Sequence, residues 1–114
     1  VYGDGKQTRS FCFVSDLVDG LMRLMGSEHG PAPVNIGNPR ESTLLELVEV
    51  VKKITGSKSE IRFMPLPKDD PVRRNPDISR AKELLGFTAK TSLADGLRKT
   101  IDWYLAARTA AAAA

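Results

Sequence analysis

Short apolar runs alternate with helix-periodic stretches along the whole chain, and glycine or proline punctuates the boundaries between them. This alternation constrains the fold more than any other feature. A strand must bury a face and a helix a stripe, so interleaved elements favour an α/β or α+β arrangement, a sheet partly covered by helices. Ser10 to Val14 is rich in aromatic and β-branched residues and predicts a strand. Ser15 or Asp16 then caps a helix whose apolar stripe is Val14, Leu17, Val18, Leu21, Met22 and Met25, with Gly26 at its end. The methionines read as core filler. Gly20 inside that helix costs about 1 kcal/mol against alanine, which points to close packing there. Val34-Asn-Ile36, closed by Gly37, has the look of a short buried strand of a parallel sheet.

Thr43-Leu-Leu-Glu46 is a capping box: the threonine hydroxyl serves the amide three residues on, and the glutamate reaches back. The helix it starts carries Leu44, Leu47, Val48, Val51 and Ile54 on one face, pairs Glu49 with Lys53 on the other, and stops at Gly56. Glu60 to Met64 alternates like a half-buried strand and leads into a proline-punctuated loop. Asp77 caps a short helix with Ile78, Ala81 and Leu85 inward and Gly86 at its end. Ser92, helped by Asp95, starts a last helix with Leu93, Leu97, Ile101, Tyr104 and Leu105 as its stripe. The alanine-rich tail, 106–114, has little to pack and is expected to fray or be disordered. The order is β-β-α-β-α-β-α-α, with no internal repeat. Its strands are few and short for a complete α/β domain, and the chain opens on Val1 in a structured-looking segment. We therefore expect a piece of a larger protein, with any targeting sequence upstream.

The 114 residues amount to about one small domain. Hydrophobic residues at 41% allow a core, and aromatics at 6% make it mainly aliphatic. The net charge of +3 comes from 17 basic and 14 acidic residues, without a basic tract or an aromatic-interleaved basic face, so nucleic acid is not the expected partner. One cysteine, Cys12, excludes an internal disulfide and a multi-cysteine metal site, and it reads as a small buried hydrophobe. The one histidine, His29, reads as a surface turn residue. No stretch approaches the roughly 20 apolar residues that span a bilayer.

Two loops concentrate anion-binding capacity. In the first, Gly3 and Gly5 flank Asp4 in a turn, followed by Lys6, Gln7, Thr8 and Arg9. The arginine fork fits phosphate oxygens bidentately, although a solvated hairpin turn is the equally simple reading. In the second, Arg73 and Arg74 lie in a proline-bounded segment, as an anion site or as two solvated side chains. Asp69 and Asp70 are expected to hold Arg73 or Arg74, or to shape the loop. Three catalytic look-alikes fail. Gly3-Asp-Gly5 has Thr8 where a dinucleotide fingerprint needs its third glycine, and Gly5-Lys6 is followed by Gln7 where a P-loop needs a hydroxyl. Tyr2 and Lys6 have the spacing of a Tyr-x-x-x-Lys pair, but the glycines between them make a poor helix. Tyr104 has Arg108 at that spacing, not lysine.

The run Val1-Tyr-Gly-Asp-Gly-Lys-Gln-Thr-Arg-Ser-Phe11, followed by Phe13-Val-Ser-Asp-Leu-Val-Asp-Gly-Leu21, resembles the C-terminal portion of the UDP-glucuronic acid decarboxylase (UDP-xylose synthase) family, within the extended short-chain dehydrogenases/reductases. The resemblance continues through Val34-Asn-Ile-Gly-Asn-Pro39, Thr43-Leu-Leu-Glu-Leu47, Asp69-Asp-Pro71, Arg74, Pro76-Asp-Ile78 and Ala81-Lys82, and covers about residues 1–105. The Tyr-Gly-x-Gly-x-Gln-Thr-Arg and Asp-Asp-Pro-x-x-Arg-x-Pro-Asp elements are fairly specific. The Arg-x-Phe-x-x-Val-x-Asp element is shared by many nucleotide-sugar epimerases and dehydratases. Cys12-Phe13 stands where a Gln-Tyr pair is common, and the alanine tail is foreign to the pattern.

The resemblance implies a Rossmann-type α/β fold, incomplete here, with residues 1–105 as its C-terminal nucleotide-sugar-binding portion. It implies a whole enzyme in which bound NAD oxidises C4 of UDP-glucuronate, the β-keto acid loses CO2, and NADH reduces the product to UDP-xylose. It places Arg9 and Arg74 against the nucleotide diphosphate and Tyr2 and Gln7 at the same end of the substrate. It further implies a homodimeric parent, in the cytoplasm or the Golgi lumen. The alternatives are the equivalent part of a nucleotide-sugar epimerase or dehydratase, or a truncated non-catalytic binding partner. In the family the glycine-rich NAD loop and the catalytic Tyr-x-x-x-Lys belong upstream of this segment, so no catalytic residue is assigned here. The isolated chain is therefore expected neither to bind NAD tightly nor to turn over UDP-glucuronate; a coupled NADH assay on the purified polypeptide checks this, and robust turnover would contradict it.

Overall fold

Residues 8–10 pair with two later segments and so build the sheet. The computed structural model describes residues 1–28 and 30–114, so the reading of His29 lies outside the described residues. Strand β1 (Thr8–Ser10) leads to helix α1 (Val14–Met25), then β2 (Glu41–Thr43), α2 (Leu44–Thr55), β3 (Arg73–Arg74), α3 (Ser79–Leu85) and α4 (Leu93–Ala113). The sheet order is β2-β1-β3. β2 runs antiparallel to β1, with Thr8 opposite Thr43 and Ser10 opposite Glu41. β3 runs parallel to β1, with Thr8 opposite Arg73 and Arg9 opposite Arg74.

The helices end and begin where local chemistry requires. Thr43 accepts the Glu46 amide at 3.1 Å, and the Glu46 carboxylate accepts the Thr43 amide at 2.7 Å, which completes the expected capping box. Ser92 accepts the Asp95 amide at 3.1 Å. Gly56 and Gly86 close α2 and α3 at φ of 66° and 60°, where a side chain would be strained. Asp77 sits just ahead of α3 and accepts the Ser79 amide at 2.9 Å, while Ile78 occupies the capping position itself. α4 continues through the alanine tail as a helix with its side chains in solvent.

The strand predictions fare less well. The run Ser10–Val14 breaks after its first residue, because the Phe11 carbonyl accepts the side-chain amide of buried Asn38 at 2.9 Å instead of a ladder bond. Val34-Asn-Ile36 forms no strand; Asn35 donates its side-chain amide to the Asp77 carbonyl at 3.3 Å, and Val34 and Ile36 pack on the core from a loop. The run 60–64 contributes a single parallel bridge, Tyr2 to Met64.

The core is Ile78, Ala81, Leu85 and Phe87, surrounded by Leu24, Val34, Ile36 and Ala89. The inward residues of α3 are those its periodicity predicted. α1 departs from expectation. Its predicted stripe faces outward, with Met22 67% and Met25 86% exposed, so the methionines do not fill the core. The inward face is Asp16, Gly20 and Leu24, four residues apart each time. Nor does Asp16 cap α1. Its buried carboxylate accepts the amides of Lys90 at 3.2 Å and Thr91 at 2.9 Å, which ties α1 to the chain entering α4. Arg23 completes the join by donating to the Leu85 carbonyl at 3.1 Å.

Gly20 is what allows this closeness. A methyl group there would overlap Ile36 and stand 3.1 Å from the Phe87 ring. Helix propensity alone would make Gly20→Ala stabilising by about 1 kcal/mol. Overpacking should reverse the sign, and we expect a net loss of about 1–3 kcal/mol. The direction in which the urea midpoint moves separates the two.

Candidate anion-binding site

The loop before β1 is braced from behind. Gly3 and Gly5 turn at φ of 69° and 75°. The Lys6 amide donates to the Asp4 carboxylate at 3.0 Å. The carbonyls of Gly5 and Gln7 accept the amides of Leu45 and Leu44, each at 3.2 Å. These are first-turn amides of α2, which have no partner within their own helix. The Gln7 side chain is buried and donates to the Tyr2 carbonyl at 2.6 Å, closing the turn on itself. Tyr2 is 55% exposed.

Beyond the turn, register places charged residues side by side. Arg9 and Arg74 are partners on adjacent strands. Side chains alternate along a strand, so Arg73 and Arg74 leave β3 toward opposite faces. On the face of Arg73, the Glu41 carboxylate receives Arg73 through Nε at 2.6 Å and Nη2 at 2.7 Å. It also accepts the Thr8 hydroxyl at 2.8 Å and the Asn75 side-chain amide at 3.3 Å. One carboxylate on β2 thereby reaches across β1 to β3. The Arg73 guanidinium first, and then the Thr8 hydroxyl, holds its carboxyl below the ordinary glutamate value.

Arg9 is bound differently. Its Nη2 donates to Asp70 at 2.6 Å and its Nη1 to the Thr8 carbonyl at 2.8 Å. Among the described residues no carboxylate forms an ion pair with Arg74. Asp70 thus holds neither Arg73 nor Arg74, contrary to the first of the two roles expected of it; its partner is Arg9. Parallel pairing of β3 on β1 carries the preceding loop beside Arg9, while antiparallel β2 delivers Glu41 to Arg73. An open groove at the β3 edge is walled by Arg9, Ser10, Asn35, Arg73, Arg74 and Asn75.

The structure therefore brings Arg9 and Arg74 together, and separately joins Gln7 to Tyr2; neither of the latter two walls the groove. Glu41, Asn75 and Asn35 were not singled out from the sequence. Nothing local marks Glu41, whose partner lies 32 residues away and is reached only through the strand order. Cys12 lies outside any strand, half-buried in an apolar recess with Phe11, Phe13 and Leu97, where burial raises its thiol above the ordinary value. A dinucleotide does not fit the Gly3-Gly5 turn. Such a site needs free amides at a helix N-terminus, but this turn leads into a strand and its carbonyls already occupy the α2 amides.

No protein-family model matches the chain. UDP-glucuronic acid decarboxylase 2 of Arabidopsis thaliana is 60% identical over 97 residues, 85% of this chain and 22% of that protein. The chain belongs to the UDP-glucuronic acid decarboxylase family, within the extended short-chain dehydrogenases/reductases. It spans about a quarter of the length of the curated relatives it matches, from 22 to 27%. Solved structures agree on the fold. UDP-glucose 4-epimerase from Thermotoga maritima, with UDP-glucose, superposes at a TM-score of 0.88, with 32% identity over 94% of this chain and 34% of that one. UDP-glucuronic acid 4-epimerase from Bacillus cereus, with UDP-glucuronic acid and NAD, gives 0.79, with 29% identity over 85% of this chain and 32% of that one.

In this decarboxylase-family segment the Glu41 clamp makes a pH prediction. Its folded pKa lies below the unfolded value of about 4.3. The stabilisation it provides is therefore complete above that value and lost as pH falls through the lower folded one. Asp77, lowered by Ser79, titrates in the same direction in any Glu41 variant and cancels in the comparison. The stability difference between the unaltered chain and Glu41→Gln should be constant above about pH 5.5 and shrink toward pH 3. Urea titrations at several pH values measure it; a flat difference would mean that the carboxylate charge contributes nothing.

Proposed function

We propose that this chain is the UDP-sugar-binding C-terminal segment of a UDP-glucuronate decarboxylase and grips the nucleotide diphosphate between Arg9 and Arg74. The pairing of these two arginines on neighbouring strands beside an open groove carries the reading. A pair of arginines on neighbouring strands suits two phosphates, since a guanidinium can form a charge-assisted fork. The 60% identity to a UDP-glucuronic acid decarboxylase supports the substrate, as do UDP-sugars bound to structural relatives. Tyr2 and Gln7 serve the same end of the substrate. Gln7 fixes the Tyr2 backbone, and the exposed Tyr2 meets the nucleotide.

The whole protein converts UDP-glucuronate to UDP-xylose and CO2, with NAD held by parts outside this chain. Residues 1–105 bind and orient. The chain alone is inactive in this reading, because the glycine-rich NAD loop and the Tyr-x-x-x-Lys pair that the family places upstream are not among its residues. A second reading, the equivalent part of a UDP-sugar epimerase, draws on the structural relatives, several of which are epimerases. Their identities of 28–32% stand well below the decarboxylase identities and favour the first reading.

Calorimetric titration of UDP tests the clamp. A charge-assisted hydrogen bond is worth about 1.5–3 kcal/mol, so Arg9→Ala and Arg74→Ala should each weaken UDP binding about ten- to hundredfold. Unchanged affinity in both variants would remove the clamp.

A further inference from the structure

We infer that Asp70 is an exchangeable anion, seated on Arg9 in place of ligand, and that a nucleotide diphosphate displaces it and releases the loop that carries it. The inference rests on the Arg9–Arg74 clamp proposed above and adds how the clamp opens.

The carboxylates beside the groove are held very differently. Glu41 is fixed by Arg73 through two bonds, by Thr8 and by Asn75. Among the described residues Asp70 has one side-chain partner, Arg9. Its loop is anchored at one end where Gly3 donates to the Met64 carbonyl at 2.8 Å, and at the other where Thr8 donates to the Val72 carbonyl at 3.0 Å. Between these anchors, among the described residues, the Asp70–Arg9 bond is the loop's one hydrogen bond. The residue before it, Asp69, sits at φ 66°, a left-handed conformation that non-glycine residues adopt rarely. A loop with one tether and a disfavoured backbone is poised to leave.

Arg9 and Arg74 together carry two positive charges, and Asp70 cancels one of them. A diphosphate needs both, and its oxygens would compete for the Nη2 that Asp70 occupies. Glu41 need not move, since it neutralises Arg73 on the other face.

The test is a cycle of UDP titrations on the 114-residue chain, Asp70→Asn, Arg9→Ala and the double variant. Removing the competing charge should tighten UDP binding about two- to fivefold, from the strength of a partly exposed ion pair. In the Arg9→Ala background the same substitution should give no gain. A merely structural aspartate would weaken binding in Asp70→Asn, and a general charge effect would give the same gain in both backgrounds; either result overturns the exchange. Failure of the folded, unaltered chain to bind UDP would instead remove the clamp, and the exchange with it.

Discussion

The pairing of Thr8, Arg9 and Ser10 with strands on both sides is the contact on which the rest depends. These three residues form an antiparallel ladder with β2 and a parallel one with β3. The antiparallel side hands the chain directly into the capping box of α2, since Thr43 is both the last strand residue and the helix cap. The parallel side brings a segment more than sixty residues distant into register. Without this junction the glycine turn would lose its backing and Arg74 its neighbour. Local ladders this short are weak by themselves. The Glu41 carboxylate compensates by linking all three strands through side chains.

That junction also sorts the arginines. By local chemistry alone, adjacent Arg73 and Arg74 read as equivalent. On a strand they cannot be, because alternation sends them to opposite faces. Arg73 meets a carboxylate bidentately and becomes part of the scaffold. Arg74 is the neighbour of Arg9 on the parallel ladder. Sorting by pleat leaves Arg73 in a bidentate pair with Glu41 and Arg9 on a single bond to Asp70, and the proposed anion clamp draws on the second arrangement.

The starts of α2 and α4 and the ends of α2 and α3 were legible because their causes are local; the starts of α1 and α3, at Phe13 and Ile78, were not. Thr43 with Glu46, Ser92 with Asp95, and the left-handed glycines at 56 and 86 all act within a few residues. Strands were not, because a strand exists only where a partner lies. Val34 to Ile36 had the composition and no ladder; Arg73 and Arg74 had no strand pattern and gained one from β1. The face of α1 was misjudged for a related reason. Hydrophobicity favoured the stripe from Val14 to Met25, while the shape of the core selected the side with Gly20, where Ile36 and Phe87 approach most closely. Of the site, Arg9 and Arg74 were visible as chemistry and their register was not. The partners of Arg9 and Arg73 were beyond reach, since they depend on strand order alone.

In the proposed function the glycine turn and the arginine pair divide one task. The turn spends its polar groups internally: Gln7 on Tyr2, and two carbonyls on the α2 amides. A loop so satisfied cannot cradle phosphates with its backbone, but it can hold the entry to β1 rigid. Rigidity there matters because Arg9 follows two residues after Gln7, and a clamp is useful only if its arms keep their spacing. In the proposed function the clamp never touches the reacting carbon. Its contribution is to anchor the remote end of the substrate, so that binding energy far from the sugar limits where the sugar can lie. In that reading a segment that supplies no catalytic group still governs the rate of chemistry performed elsewhere in the protein.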